Sequence, residues 1–147
     1  YDRALVIGEE AGDRQALGGV MRNLGDLYLQ LGQHDKAIGQ LEQGSAIATE
    51  VGDRQGQGAS CLNLARCHQA MGQYEKAITL GKQGAVIFED FGDLRNLMVS
   101  LMVLGECLTL LGNYAQAIKH HSKYWDLSQK LGDKEYQSQA ALNMCVR

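Results

Sequence analysis

Proline is absent from all 147 residues, and no tract of low complexity or linker composition interrupts the chain. Nothing therefore marks an internal domain boundary. No apolar run approaches the length of a membrane span, and no basic segment followed by an apolar one opens the sequence, so neither a spanning helix nor a secretory leader is read. Lys and Arg are not clustered. With 14 basic against 17 acidic side chains and a net charge of -3, the composition argues against a nucleic-acid surface, which needs a basic patch. Cys61, Cys67, Cys107 and Cys145 form no CxxC pair and no regular disulfide spacing. They read as free thiols in a reducing compartment, and the cytoplasm is the expected location.

Chemical motifs are missing too. There is no phosphate-binding glycine loop, no nucleophile elbow and no paired-carboxylate cleft, so the expectation is a chain that is not an enzyme and needs no cofactor. His120 and His121 are adjacent, and adjacent helical residues diverge by about 100°. No Cys or carboxylate stands at ligand spacing beside them, so no metal site is assigned. His68 is expected as a core histidine with its hydrogen bonds made inside the protein.

What the chain has is repetition, at a spacing of 40 residues. Gly12-Asp13-Arg14 recurs as Gly52-Asp53-Arg54, Gly92-Asp93 and Gly132-Asp133; Asn23-Leu24-Gly25 recurs as Asn63-Leu64-Ala65, Leu104-Gly105 and Asn143-Met144. Leu31-Gly32-Gln33 and Ala37-Ile38 return as Met71-Gly72-Gln73 with Ala77-Ile78, and as Leu111-Gly112-Asn113 with Ala117-Ile118. A fixed period of this length is the mark of a solenoid.

Each unit reads as two helices. Met21, Leu24, Tyr28 and Leu31 fall on one helical stripe, as do Cys61, Leu64, His68 and Met71, and Leu101, Leu104, Leu108 and Leu111. Glycine at the junctions stops a helix and the following Asp caps the next. The second helices begin at Gln33, Gln73 and Asn113, of which only Asn113 is a favoured cap, so the other two starts are expected to fray more. Gly25 and Gly105 lie inside helices at a cost of about 1 kcal/mol each relative to alanine, which points to close helix approach. Ala4-Leu5, Gly44-Ser45, Gly84-Ala85 and Tyr124-Trp125 occupy equivalent places, and the small pairs are expected to be filled by bulk from Leu97, Met98 and Leu101. The fold predicted is all-α, a single array over residues 1–147 of about eight antiparallel helices. Its full units are 13–51, 53–91 and 93–131, with half units at 1–11 and 133–147; beginning and ending inside units, the chain reads as part of a longer array.

Paired helices carrying Leu-Gly, Tyr, a closing Leu-Gly and Ala-Ile resemble tetratricopeptide repeats, and the likeness covers essentially the whole chain. The 40-residue period and the Gly-Asp junction resemble the LGN/Pins family of G-protein-signalling modulators, with Ala117-Ile118-Lys119-His120-His121 the nearest stretch. That family's Asn after Leu-Gly is replaced here by Asp26, Arg66, Glu106 and Val146, so its specific partners do not carry over. The resemblance implies a right-handed superhelix whose first helices line a concave groove.

A helical wheel with Leu24 in the core then selects the groove residues: Arg22, Asn23 and Asp26; Leu62, Asn63, Arg66 and Gln69; Val99, Met102, Val103, Glu106 and Leu110; and Asn143. Polar at one end and apolar at the other, such a groove suits an extended or helical segment of a protein partner. The expected function is a protein-protein interaction scaffold for signalling; the alternative is a regulatory module of a larger protein that holds an intramolecular segment. Uncapped end helices also predict self-association.

Overall fold

The computed structural model describes residues 10–132, and all regular structure among them is helical. Six helices follow in order: α1 Glu10–Gln30, α2 His34–Val51, α3 Arg54–Ala70, α4 Tyr74–Phe91, α5 Leu94–Leu110 and α6 Tyr114–Leu131. The count of about eight expected from the sequence is not matched; the half units expected at 1–11 and 133–147 lie, but for residues 10 and 11, outside the described residues. One junction also differs. Helix α1 begins at Glu10 and runs straight through Gly12 and Asp13, where the sequence predicts a stop and a restart.

At the other junctions the local chemistry is as the residues dictate. Gly32, Gly52, Gly72, Gly92, Gly112 and Gly132 all take positive φ, between 65° and 83°, a backbone that only glycine adopts without strain. Asp53 Oδ1 accepts from the Gly56 amide at 2.9 Å, and Asp93 Oδ1 from the Asn96 amide at 3.3 Å, which starts α3 and α5. Asn113 departs from expectation. It has the same backbone as Gln33 and Gln73 and, like them, makes no side-chain cap, so the three second helices start alike.

Each helix packs antiparallel against the next. Gly25 and Gly105 are small because a Cβ at either would run into the second helix, at 2.5 Å from Leu41 in one case and against the ring of His121 in the other. Gly84 packs on Gly58, whose carbonyl a Cβ would meet at 3.4 Å. The filling expected from α5 is also present: Leu97, Met98, Leu101 and Leu104 join Phe88, Tyr124 and Leu127 in one core that runs through α3 to α6. A smaller core joins Ala37 and Leu41 to Leu64 and Cys67. The closing residues Leu31, Met71 and Leu111, placed on the core stripe from sequence, are exposed at the ends of their helices.

Curvature follows from which helices meet. The backbones of the first helices α1, α3 and α5 come close to those of their successors, whereas those of α2, α4 and α6 stand apart, bridged only by side chains such as Lys123 and Glu89. First helices therefore form the inner, concave side, and second helices splay on the outer, convex one.

Candidate functional site

The concave side is built by residues of α1, α3 and α5 that point away from the second helices. Across it runs a ladder of polar contacts between successive repeats. Arg66 Nη1 stands 3.8 Å from Asp26 Oδ1, and Gln69 Nε2 donates to Glu106 Oε1 at 3.0 Å. Gln30 donates to the second oxygen of Asp26 at 3.1 Å. Arg66 and Asp26 remain about 40% exposed (42% and 38%), so water screens their attraction and a ligand can compete for either group.

The sequence-selected residues divide into three groups. Asn23, Asp26, Asn63, Arg66, Gln69 and Glu106 are accessible, wholly or in part, and Leu110 is 62% exposed. Val99 and Met102 are half-buried at the rim of the large core. Leu62 and Val103 are corrections: they are 5% and 2% exposed and lie inside that core, with nothing to offer a partner. The wheel misplaced them because a first helix is flanked on two sides, by its own second helix and by the next first helix, so its free arc is narrower than half a turn. Asn143 lies outside the described residues.

Arg22 is brought to the groove's edge but is spent on the fold. Its guanidinium sits 3.8 Å from Asp53 Oδ2, with both side chains largely covered. A Cβ at Gly56 would come within 2.7 Å of Arg22 Nη1, so the glycine leaves room for the arginine to reach the cap. His68 is half-buried at the turn, not a core residue, and its Nδ1 lies 2.6 Å from Gln73 Oε1.

Sequence reasoning missed the convex side. There an open groove of about 450 Å³ lies between α2 and α4, floored by α3 and lined by Ser45, Thr49, Arg54, Gln57, Cys61, Gln83, Val86 and Ile87. The signal was available in Ser45, a small residue on the groove's wall. Burial pushes the Cys61 thiol up, and raises Cys67 and Cys107 to about 11. All three stay protonated near neutrality and are poor nucleophiles. No helix among the described residues is long and apolar enough to cross a membrane.

A family model described as Tetratricopeptide repeat matches residues 20–90 and 57–130. The chain belongs to the tetratricopeptide repeat family. Among solved structures, aspartyl phosphate phosphatase F from Bacillus subtilis is similar over 88% of this chain, at 26% identity and a TM-score of 0.82. This chain spans 34% of the phosphatase F chain, about a third of its length. The tetratricopeptide domain of Arabidopsis FLU is similar over 80% of this chain and 98% of its own, at 17% identity and a TM-score of 0.75, a likeness of fold alone. No curated protein sequence matches the chain significantly. Membership makes a scaffold for protein-protein contacts the functional class of this tetratricopeptide array.

Proposed function

We propose that this tetratricopeptide array is an interaction scaffold that binds an extended or helical segment of a protein partner along its concave side and performs no chemistry of its own. The observation that carries the reading is the polar ladder from Asp26 through Arg66 and Gln69 to Glu106. Its groups are held in place by one another, so a bound segment meets donors and acceptors already oriented. Asn63 adds an amide beside Arg66, and Leu110 supplies an apolar anchor at the far end. The free state of Cys61, Cys67 and Cys107 supports a cytoplasmic setting. The likeness of the Gly-Asp junction to LGN/Pins repeats supports a role in signalling.

A second reading has one observation in its favour. The chain spans a third of phosphatase F, which fits a regulatory module whose ligand is a segment of the same, longer polypeptide.

The test compares capture of protein partners by the native chain, by Asn63→Ala with Arg66→Glu, and by Glu42→Lys on the exposed side of α2. The concave variant is expected to lose partners that Glu42→Lys retains, with unchanged melting and circular dichroism in both. Identical capture by all three overturns the reading.

A further inference from the structure

One place on the concave side recurs in all three first helices with charge of alternating sign: Asp26 on α1, Arg66 on α3 and Glu106 on α5. The first two answer each other. Asp26 Oδ1 lies 3.8 Å from Arg66 Nη1, and its Oδ2 accepts from Gln30 at 3.1 Å, so both oxygens are met. Glu106 is served differently. Its Oε1 accepts from the neutral amide of Gln69 at 3.0 Å, and its Oε2 accepts no hydrogen bond among the described residues. No Lys or Arg among the described residues comes within ion-pair distance of it. The row therefore ends on an unanswered negative charge, carried by a half-buried carboxylate that has lost part of its hydration.

The place one turn further along breaks the symmetry as well. Gln30 and Ala70 hold it on α1 and α3, whereas Leu110 holds it on α5 and is 62% exposed. Glu106 and Leu110 share a helix face and stand about 6 Å apart along its axis. Charge and apolar surface thus coincide on α5 alone.

We propose that the concave side selects a protein segment carrying a lysine or arginine that pairs with Glu106 and, next to it on the same face, an apolar side chain that seats on Leu110. This deepens the concave-side reading and rests on it. The spacing within the segment follows from the pair: two positions if it is extended, where alternate side chains lie about 7 Å apart, and three or four if it is helical. A guanidinium or ammonium can donate to Oε2 while Gln69 keeps Oε1, so no bond of the free protein has to break. An acidic segment meets the opposite balance. It faces Glu106 with like charge, and it reaches Arg66 only in competition with Asp26.

The test is selection from a random peptide library by the native chain, followed by binding of a synthetic peptide of the enriched sequence to variants. The native chain is expected to enrich Lys or Arg at that spacing from an apolar residue. Glu106→Gln, which keeps an acceptor for Gln69 and is expected to melt like the native chain, should bind the peptide about fivefold more weakly, the worth of one partly exposed pair. Glu106→Lys, put through the same selection, is expected to reverse the preference to Asp or Glu, and Leu110→Ser to lose the apolar preference while keeping the basic one. Hydrogen exchange of the chain with the peptide bound locates it. Enriched peptides that protect α3 and α5 without a basic residue, or that bind Glu106→Gln as tightly as the native chain, overturn this inference and leave the concave-side reading standing. Protection confined to α2, α4 and α6 overturns both.

Discussion

The two seams that join the repeats do the same job with different chemistry. At the seam of repeats one and two, Arg22 reaches across to the cap residue Asp53, and Gly56 makes the space for it. At the next seam Leu62 holds the place of Arg22 and turns into the core, while Asn96 holds the place of Gly56 and donates its own amide to Asp93 Oδ2 at 2.8 Å. Within the repeats the contrast continues: Gly58 and Gly84 face each other in repeat two, and Met98 and Tyr124, both buried, stand in their places in repeat three. On the convex side the first seam is an open groove of mixed lining, and the second is bridged by Lys123 to Glu89 at 3.0 Å. The cap itself is constant. What varies is which neighbour supplies the second oxygen's partner, and that choice decides whether a seam is polar and thin or apolar and thick.

Truncating one equivalent leucine in each unit tests the gradient with the largest effect. Leu104→Ala, at the centre of the larger core, is expected to lose about 3 kcal/mol in urea denaturation. Leu64→Ala in the smaller core loses less, and Leu24→Ala, on an exposed stripe, less than about 1 kcal/mol. Equal losses at all three would erase the distinction between seams.

Arg22→Leu imports the residue of the second seam into the first. Because the pair is largely covered but long, a loss of about 1–2 kcal/mol is expected, between the values for exposed and buried pairs. Adding Gly56→Asn supplies the amide seen at Asn96 and recovers part of it, as a double-mutant cycle would show. If the second change only adds to the loss, the two seams are not interchangeable solutions.

Ser60 and Ser100 are equivalent, fully buried and without a hydrogen-bond partner at Oγ. Ser→Ala at either is expected to be neutral or to stabilise by up to about 1 kcal/mol, since it removes an unmet group and improves helix propensity. The exposed pairs Arg14 to Glu50 and Arg54 to Asp90 recur one unit apart at 2.7 and 3.0 Å; Arg54→Ala should change stability by less than about 0.5 kcal/mol.

The smallest effect is in pH. Burial lowers the pKa of His120, helped by Lys82, Lys123, His121 and Lys119 around it. The folded state therefore disfavours its protonation, so its stabilising contribution is complete above the unfolded value near 6.5 and declines as pH falls toward the folded value. His120→Gln should flatten the loss of stability below pH about 6.5; an unchanged profile would assign that loss to other groups.

Much of this was legible in the residues. The period of 40, the Gly-Asp and Leu-Gly punctuation and the apolar stripes identify helices, turns and the order of packing, because those depend on local chemistry repeated in register. Leu62 and Val103 were misassigned to the groove since a wheel knows one helix and burial is decided by its neighbours. Gly12-Asp13 carries the turn signature, yet α1 runs through it: a turn is selected by what the flanking helices bury as much as by its glycine. Asn113 shows the same limit, as a favoured cap residue whose side chain finds no amide to bind.

The measurement that bears most directly on the concave side as the binding face is hydrogen exchange of the chain alone and in complex with a captured protein partner. The account predicts new protection on peptides from α3 and α5, around Asn63 to Gln69 and Met102 to Leu110. Protection confined to α2, α4 and α6 would contradict it and move the function to the convex groove.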